Sequence, residues 1–392
     1  MIELTAPLVD ESFYAGDPFP HYARLRAEAP VVWHPDPGFW ILSRHAEVLA
    51  VSTDAATFSS TGGILPLEIG IDYPTPPTMM HTDPPAHTGY RQRLSPSFRP
   101  SRMRALEAMI TERVESVLAE IDWDEPIDAL GRIAVPLPLM VIADLLGVDR
   151  EDWPRFYEWS EATIPDATDW APERKAALME EMRQHLMGVV NARRADPKDD
   201  LISDLVADGE IDDDEAWMFV NQLLVAGNET TRNLIAGALV AFSQRPDQWD
   251  LLRADPRSAA PVIESAVEEM LRWTTPVIGF MRTARAATQL GGQQINPGDP
   301  LHMLYASANR DEAQFGPTSD TLDVTRSPNH HLAFGFGPHF CVGATLARIE
   351  ARVLLAALAT RVASIEPAGD AVRTPSSIIA GWREVPLTLT TH

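Results

Sequence analysis

Apolar side chains recur at intervals of three and four residues over long stretches of this chain. The recurrence predicts helices over 102–121, 133–147, 174–194, 213–243, 258–273 and 343–362. Strand signals are shorter and fewer. Val31-Val32-Trp33 and Phe39-Trp40-Ile41-Leu42 flank His34-Pro35-Asp36-Pro37-Gly38 and predict a hairpin near the N-terminus. Gln289-Leu290 before Gly291-Gly292, Leu301-His302-Met303-Leu304 after Asn296-Pro297-Gly298, and Val385 to Thr390 add strands late in the chain. The pattern is that of a mainly α protein with small β-sheets. Many of the 33 prolines sit in connections such as Asp83-Pro84-Pro85 and Ser327-Pro328-Asn329, where they delimit helices. No linker, repeat or composition break divides the 392 residues, so one domain over 1–392 is expected.

Charge narrows the partners. With 32 basic and 56 acidic side chains the chain carries −24, which argues against nucleic acid or an anionic membrane. No apolar run reaches the length of a membrane span and no charged-then-apolar leader opens the chain, so a cytoplasmic protein with no membrane partner is expected. The acidic clusters Asp199-Asp200 and Asp212-Asp213-Asp214-Glu215 read as solvated loop or helix-start residues and are assigned no chemistry. A single cysteine, Cys341, excludes an intrachain disulfide and a cluster on cysteine ligands.

Two segments break the ordinary rules. Helix 213–243 carries Ala226-Gly227-Asn228-Glu229-Thr230-Thr231 in its middle, where glycine costs about 1 kcal/mol against alanine. Close approach of the helix backbone to a ligand would account for that choice. Cys341 lies in Phe334-Gly335-Phe336-Gly337-Pro338-His339-Phe340-Cys341-Val342-Gly343, a glycine-rich loop entering a helix. Taken alone, Cys341 is either a small buried hydrophobe or a thiolate favoured by the nearby helix start. Gly337 and Gly343 leave room for something flat to approach the backbone.

Phe334, Gly337, Cys341 and Gly343 in that spacing resemble the haem-binding loop of the cytochrome P450 family. The resemblance implies the P450 fold, a triangular prism with haem b (iron protoporphyrin IX) between a long distal helix and the cysteine-loop helix. It implies Cys341 as iron ligand, with Phe334 and Gly343 in the cofactor loop. Ala226-Gly227-Asn228-Glu229-Thr230-Thr231 is similar to the family's distal-helix stretch; Ala226 and Gly227 would lie over the porphyrin, and Thr230 and Glu229 would hold oxygen and deliver protons. His87, Arg91, Arg282 and His339 match positions that anchor the haem propionates. Glu269-Met270-Leu271-Arg272 matches a structural Glu-x-x-Arg pair, with Arg326 as its expected third member.

The same resemblance implies a monooxygenase that uses O2 and an apolar small molecule of steroid, terpenoid or lipid type. Electrons would come from a ferredoxin (2Fe-2S, 3Fe-4S or 4Fe-4S) or a flavodoxin with its NAD(P)H reductase, docking near Arg91, Arg93, Arg348 and Arg352. Ile64, Leu65, Val225, Val277, Ile278, Phe280, Ile378 and Ile379 fall in the family's pocket segments, as do the acids Glu68, Asp72 and Asp166, whose facing the sequence leaves open. The alternatives are a haem-thiolate peroxygenase or dehydratase, and a noncatalytic haem protein that binds a ligand; the Glu229-Thr230 pair counts against both.

Overall fold

The computed structural model describes residues 5–71, 78–149, 152–163, 168, 170–207, 209–253 and 260–392. It divides into two compact units, each gathered from separated stretches of chain. The first comprises Met1–Gly89, Glu264–Cys341 and Arg373–Gly381; the second comprises Tyr90–Ile263, Val342–Val372 and Trp382–His392.

Among the described residues, helices of eight residues or more are α1 (Phe19–Glu28), α2 (His45–Thr53), α3 (Ala86–Leu94), α4 (Pro100–Ala119), α5 (Pro136–Leu146), α6 (Trp153–Thr163), α7 (Pro172–Ala195), α8 (Asp213–Gln244), α9 (Pro246–Arg253), α10 (Ala260–Thr274) and α11 (Ala344–Ala359). The six periodic stretches of the sequence correspond to α4, α5, α7, α8, α10 and α11. The last was expected to reach residue 362 but stops at Ala359, because Val362 begins a strand whose alternating side chains pair with the C-terminal segment. Helices α1, α2, α6 and α9 were not separately expected; at three turns or fewer they offer little repeat to read.

Described strands within the units are β1 (Val31–His34), β2 (Phe39–Leu42), β3 (Phe58–Ser59), β4 (Ile127–Asp128), β5 (Phe280–Ala284), β6 (Thr288–Leu290), β7 (Gln293–Ile295), β8 (Pro300–Met303), β9 (Val362–Pro367) and β10 (Pro386–Thr391). In the first unit, β1-β2-β8-β5-β3 form one sheet, antiparallel except for the parallel β2–β8 pair. The expected hairpin is β1–β2, with Val31 opposite Leu42 and His34 opposite Phe39. Strands β6 and β7 turn through Gly291 and Gly292, both at positive φ, as a tight two-residue hairpin requires. Tyr22, Leu25, Phe39, Ile41, Ile278, Met281 and Leu304 form a buried core beside the sheet.

In the second unit the central element is α8, buried without interruption from Thr231 to Phe242 and packed against α5, α6, α7 and α11. Asp212 caps it, accepting from the Glu215 amide at 2.9 Å, so that acidic run is a helix start as expected. Asp200 is likewise a helix start, with one difference. It is buried rather than solvated, pairing with Arg193 at 2.5 Å and capping the short helix Leu201–Val206 through the Ser203 amide.

The Glu-x-x-Arg pair on α10 is fully buried. Arg272 donates to Glu269 through Nε at 2.8 Å and Nη2 at 2.7 Å, and Arg326 Nε reaches the same carboxylate at 3.1 Å. The spare donors of Arg272 go to the carbonyls of Asn309, Ser319 and Thr321. Truncating Arg272 to alanine removes two donors from a buried carboxylate and the side-chain partner of the Asn309 and Ser319 carbonyls, and should cost about 3–5 kcal/mol in denaturant unfolding. A loss of less than about 1 kcal/mol would mean that the network does not hold this unit together.

Candidate active site

The cysteine loop closes on itself within the first unit. Cys341 N donates to Phe334 O at 3.0 Å, Phe340 N to Gly337 O at 3.1 Å, and Gly335 and Gly337 take positive φ. Cys341 is exposed, which excludes the buried-hydrophobe alternative. Gly343 caps α11, so the helix begins where the sequence indicated. Gly337 has a reason that the sequence did not reveal: a Cβ there would lie 2.3 Å from the Ser52 carbonyl at the end of α2. The glycine therefore serves protein packing against α2.

Three of the expected anchors stand in the same unit. The rings of His87 and His339 lie 4.0 Å apart, and His339 Nε2 is 3.1 Å from Ser60 Oγ. Asp83 fixes that neighbourhood: it accepts from the Ser60 amide at 2.9 Å, from Ser59 Oγ at 2.5 Å and from Arg285. Ser60 and Arg285 were not singled out from sequence, since nothing in their spacing marks them. Arg282 is buried and donates to the Met281 carbonyl at 2.7 Å, and among the described residues no carboxylate pairs with it. Burial lowers its pKa, a direct sign that the charge lacks an adequate partner. A ligand bringing carboxylates would supply one. Arg91 stands on α3 four residues after His87, as the helical spacing implied.

The apolar pocket candidates of the first unit are tied together by backbone bonds. Met281 N donates to Ile64 O at 2.8 Å, Ile278 N to Ile378 O at 2.9 Å, and Val277 bridges Ile379. Leu65, Val277, Phe280, Ile378 and Ile379 are half-buried, whereas Ile64 and Ile278 are buried and Ile278 belongs to the core. Glu68 points inward; Asp72 and Asp166 lie outside the described residues.

On α8, in the second unit, the unusual segment opens a stripe in an otherwise buried helix. Ala226 is exposed, and Val225, Gly227 and Thr230 are partly so. Thr230 Oγ1 donates to Ala226 O at 2.9 Å, which leaves its lone pairs free to accept. Gly227 answers to a neighbouring helix: a Cβ would come 3.0 Å from Ile142 Cδ1 of α5. Glu229 is buried. Its Oε2 accepts from Arg232 at 2.5 Å and its Oε1 lies 3.4 Å from Ser160 Oγ, while Arg232 also pairs with Glu161 at 2.7 Å. Arg232, three residues on, was legible as a helical neighbour; Glu161 on α6 was not.

The expected basic patch is partly neutralised, since Arg93 pairs with Glu210 at 3.1 Å and Arg352 with Glu107 at 2.9 Å. Among the described residues, no helix is long and apolar enough to cross a membrane.

An exposed cysteine in a glycine loop, a buried guanidinium that no carboxylate pairs among the described residues, and an open helix stripe bearing an alcohol beside a buried acid suit a haem-thiolate protein. Comparison with known proteins agrees. A family model described as Cytochrome P450 matches residues 168–361. Linalool 8-monooxygenase of Pseudomonas putida is 36% identical, covering 94% of this chain and 95% of that protein. Steroid C26-monooxygenase of Rhodococcus jostii is 35% identical, covering 93% of this chain and 79% of that protein. The structure of a Mycobacterium marinum cytochrome P450 in complex with pseudoionone superposes with a TM-score of 0.88 at 33% identity, covering 96% of this chain and 97% of that one. This chain belongs to the cytochrome P450 family. It is a P450 monooxygenase whose cofactor is haem b and whose reaction uses O2 and electrons from redox partners.

Burial pushes the Glu229 carboxyl up to about 7, the neighbouring Arg232 cation opposing the shift. Because its folded pKa is raised above 4.5, the folded chain holds this proton between about pH 4.5 and 7 while the unfolded chain releases it. The contribution to stability is therefore complete below pH 4.5 and is lost as pH rises through 7. Glu229→Gln should flatten the fall of stability with pH across that window, measured by denaturant unfolding at several pH values.

Proposed function

We propose that this P450 hydroxylates an apolar small molecule of the terpenoid or steroid class, as a single P450 domain working in the cytoplasm. The observation that carries this reading is the apolar set Leu65, Val277, Phe280, Ile378 and Ile379, half-buried and linked through the backbone in one unit. The names of its relatives, a linalool 8-monooxygenase and a steroid C26-monooxygenase, support the substrate class. Apolar walls bind such a molecule by removing its surface from water and leave few polar contacts to orient it.

In this reading Cys341 ligates the haem iron as thiolate, with Phe334 and Gly343 shaping its loop. Haem b, when bound, supplies the activation of dioxygen. His87, Arg91, Arg282 and His339 hold its propionates; for Arg282 the benefit is mutual, since the bond neutralises a cation already buried. Ala226 and Gly227 offer a backbone surface without bulky side chains. The Thr230 hydroxyl, anchored by its bond to Ala226 O, accepts a hydrogen bond and orients a proton donor. Glu229 stores a proton near neutral pH and releases it when Arg232, shared with Glu161, turns its cation toward the Glu229 carboxylate. Electrons arrive from a ferredoxin or flavodoxin-type partner.

The reduced protein with carbon monoxide should give the red-shifted thiolate carbonyl band, and Cys341→Ser should lose it. A histidine-type band in the parent protein would overturn the assignment. Thr230→Ala should keep that band and bind substrate unchanged, yet divert reducing equivalents from hydroxylated product to hydrogen peroxide, seen as a fall in product formed per NAD(P)H consumed.

A further inference from the structure

Glu68 is a buried carboxylate to which the reaction assigns no part. Its Oε2 accepts from the backbone amides of Ile64 at 2.8 Å and Leu65 at 3.0 Å. His81 Nε2 lies 3.1 Å from the same oxygen and 3.3 Å from Oε1. The far side of that imidazole is held as well, Nδ1 standing 2.9 Å from Thr78 Oγ1, which itself accepts from the Met80 amide at 3.2 Å. The donors outweigh the burial, and the Glu68 pKa is lowered.

We propose that Glu68, held by His81, is a positioning residue that sets the substrate selectivity of the apolar pocket by fixing the backbone of Ile64 and Leu65. The inference rests on the pocket assigned above. Neither Ile64 nor Leu65 belongs to a strand, so their amides lack a ladder partner and the carboxylate takes that place. The peptide is gripped from the other direction too, because Ile64 O accepts from Met281 N on β5, next to Phe280. Gly63, at φ +102°, makes the return possible: a Cβ there would lie 3.0 Å from Glu68 Cβ. Two adjacent amides converging on one oxygen fix two successive peptide planes, and with them the direction of the half-buried Leu65 side chain. Where a substrate offers few polar handles, discrimination depends on the shape of the wall, and shape requires a fixed backbone.

The test titrates the ferric holoenzyme with linalool, pseudoionone and corticosterone, reading the spin-state change, for the parent protein, Glu68→Gln, His81→Ala, His81→Gln and Leu65→Ala. Glu68→Gln keeps the shape but replaces the charged acceptor of both amides by a neutral carbonyl and turns an N–H2 toward His81. It should weaken the parent's best ligand about tenfold and narrow the spread of affinities among the three, raising KM more than it lowers kcat, with the thiolate carbonyl band unmoved. His81→Ala should do the same, and His81→Gln, which retains a donor, should recover most of the parent's spread. If Leu65→Ala alters the spread while Glu68→Gln and His81→Ala leave it intact, the positioning role is overturned and the pocket stands. If Leu65→Ala also leaves every affinity unchanged, the pocket assignment at this edge falls, and the proposal with it. Should Glu68→Gln fail to retain haem, His81→Ala decides by the same comparison.

Discussion

The first unit depends on one carboxylate. Glu269 has no exposure to water, and its oxygens are fully engaged: two donors from Arg272, one from Arg326, the Asn329 amide at 3.0 Å and the Asp323 backbone amide at 2.9 Å. All but Arg272 come from 323–329, the stretch leading into the cysteine loop. Asn309 continues the chain of constraint, its carbonyl accepting from Arg272 and its side chain accepting from Leu332 N at 2.7 Å. Leu332 O then accepts from Gly335 N, and Phe334 O from Cys341 N. A path of hydrogen bonds thus runs from the buried ion pair to the cysteine, and the thiol inherits its position from charge compensation several residues upstream.

The second unit repeats the theme with a different purpose. Arg232 sits between Glu229 and Glu161, so two carboxylates share one guanidinium in a buried setting. One negative charge is in excess, and the protein relieves it by keeping a proton near neutral pH. Glu269 receives five donors; Glu229 shares its one guanidinium with Glu161, and its carboxyl is pushed up to about 7. The same residue types yield a strut in one place and a reservoir in the other, and the count of donors separates them.

The long helices, the hairpin and the two chemical motifs were legible because each is a local pattern: periodicity, turn residues, or a run of motif residues in fixed spacing. Glu269, Arg272 and Arg326 were also foreseen, and the observed distances match that reading. What escaped was long-range pairing. Glu161 meets Arg232 across 71 positions and His339 meets Ser60 across 279, and no local spacing announces either. The end of α11 was misjudged for the same reason, since Val362 is drawn into a strand by residues near the C-terminus. The glycines were recognised as unusual, but their protein neighbours were not foreseen: Gly337 yields to the end of α2 and Gly227 to Ile142.

The seating of Gly337 against the Ser52 carbonyl joins the turn that carries the cysteine to a helix nearly three hundred positions earlier in the chain. Ser52 Oγ in turn bonds back to Val48 O at 2.8 Å, so the carbonyl facing the glycine belongs to a stiffened helix end. The electron-donating strength of a thiolate varies with small changes in the hydrogen bonding and tilt of its loop. A change in α2 can therefore shift the turn that carries the cysteine while leaving the loop's own letters untouched.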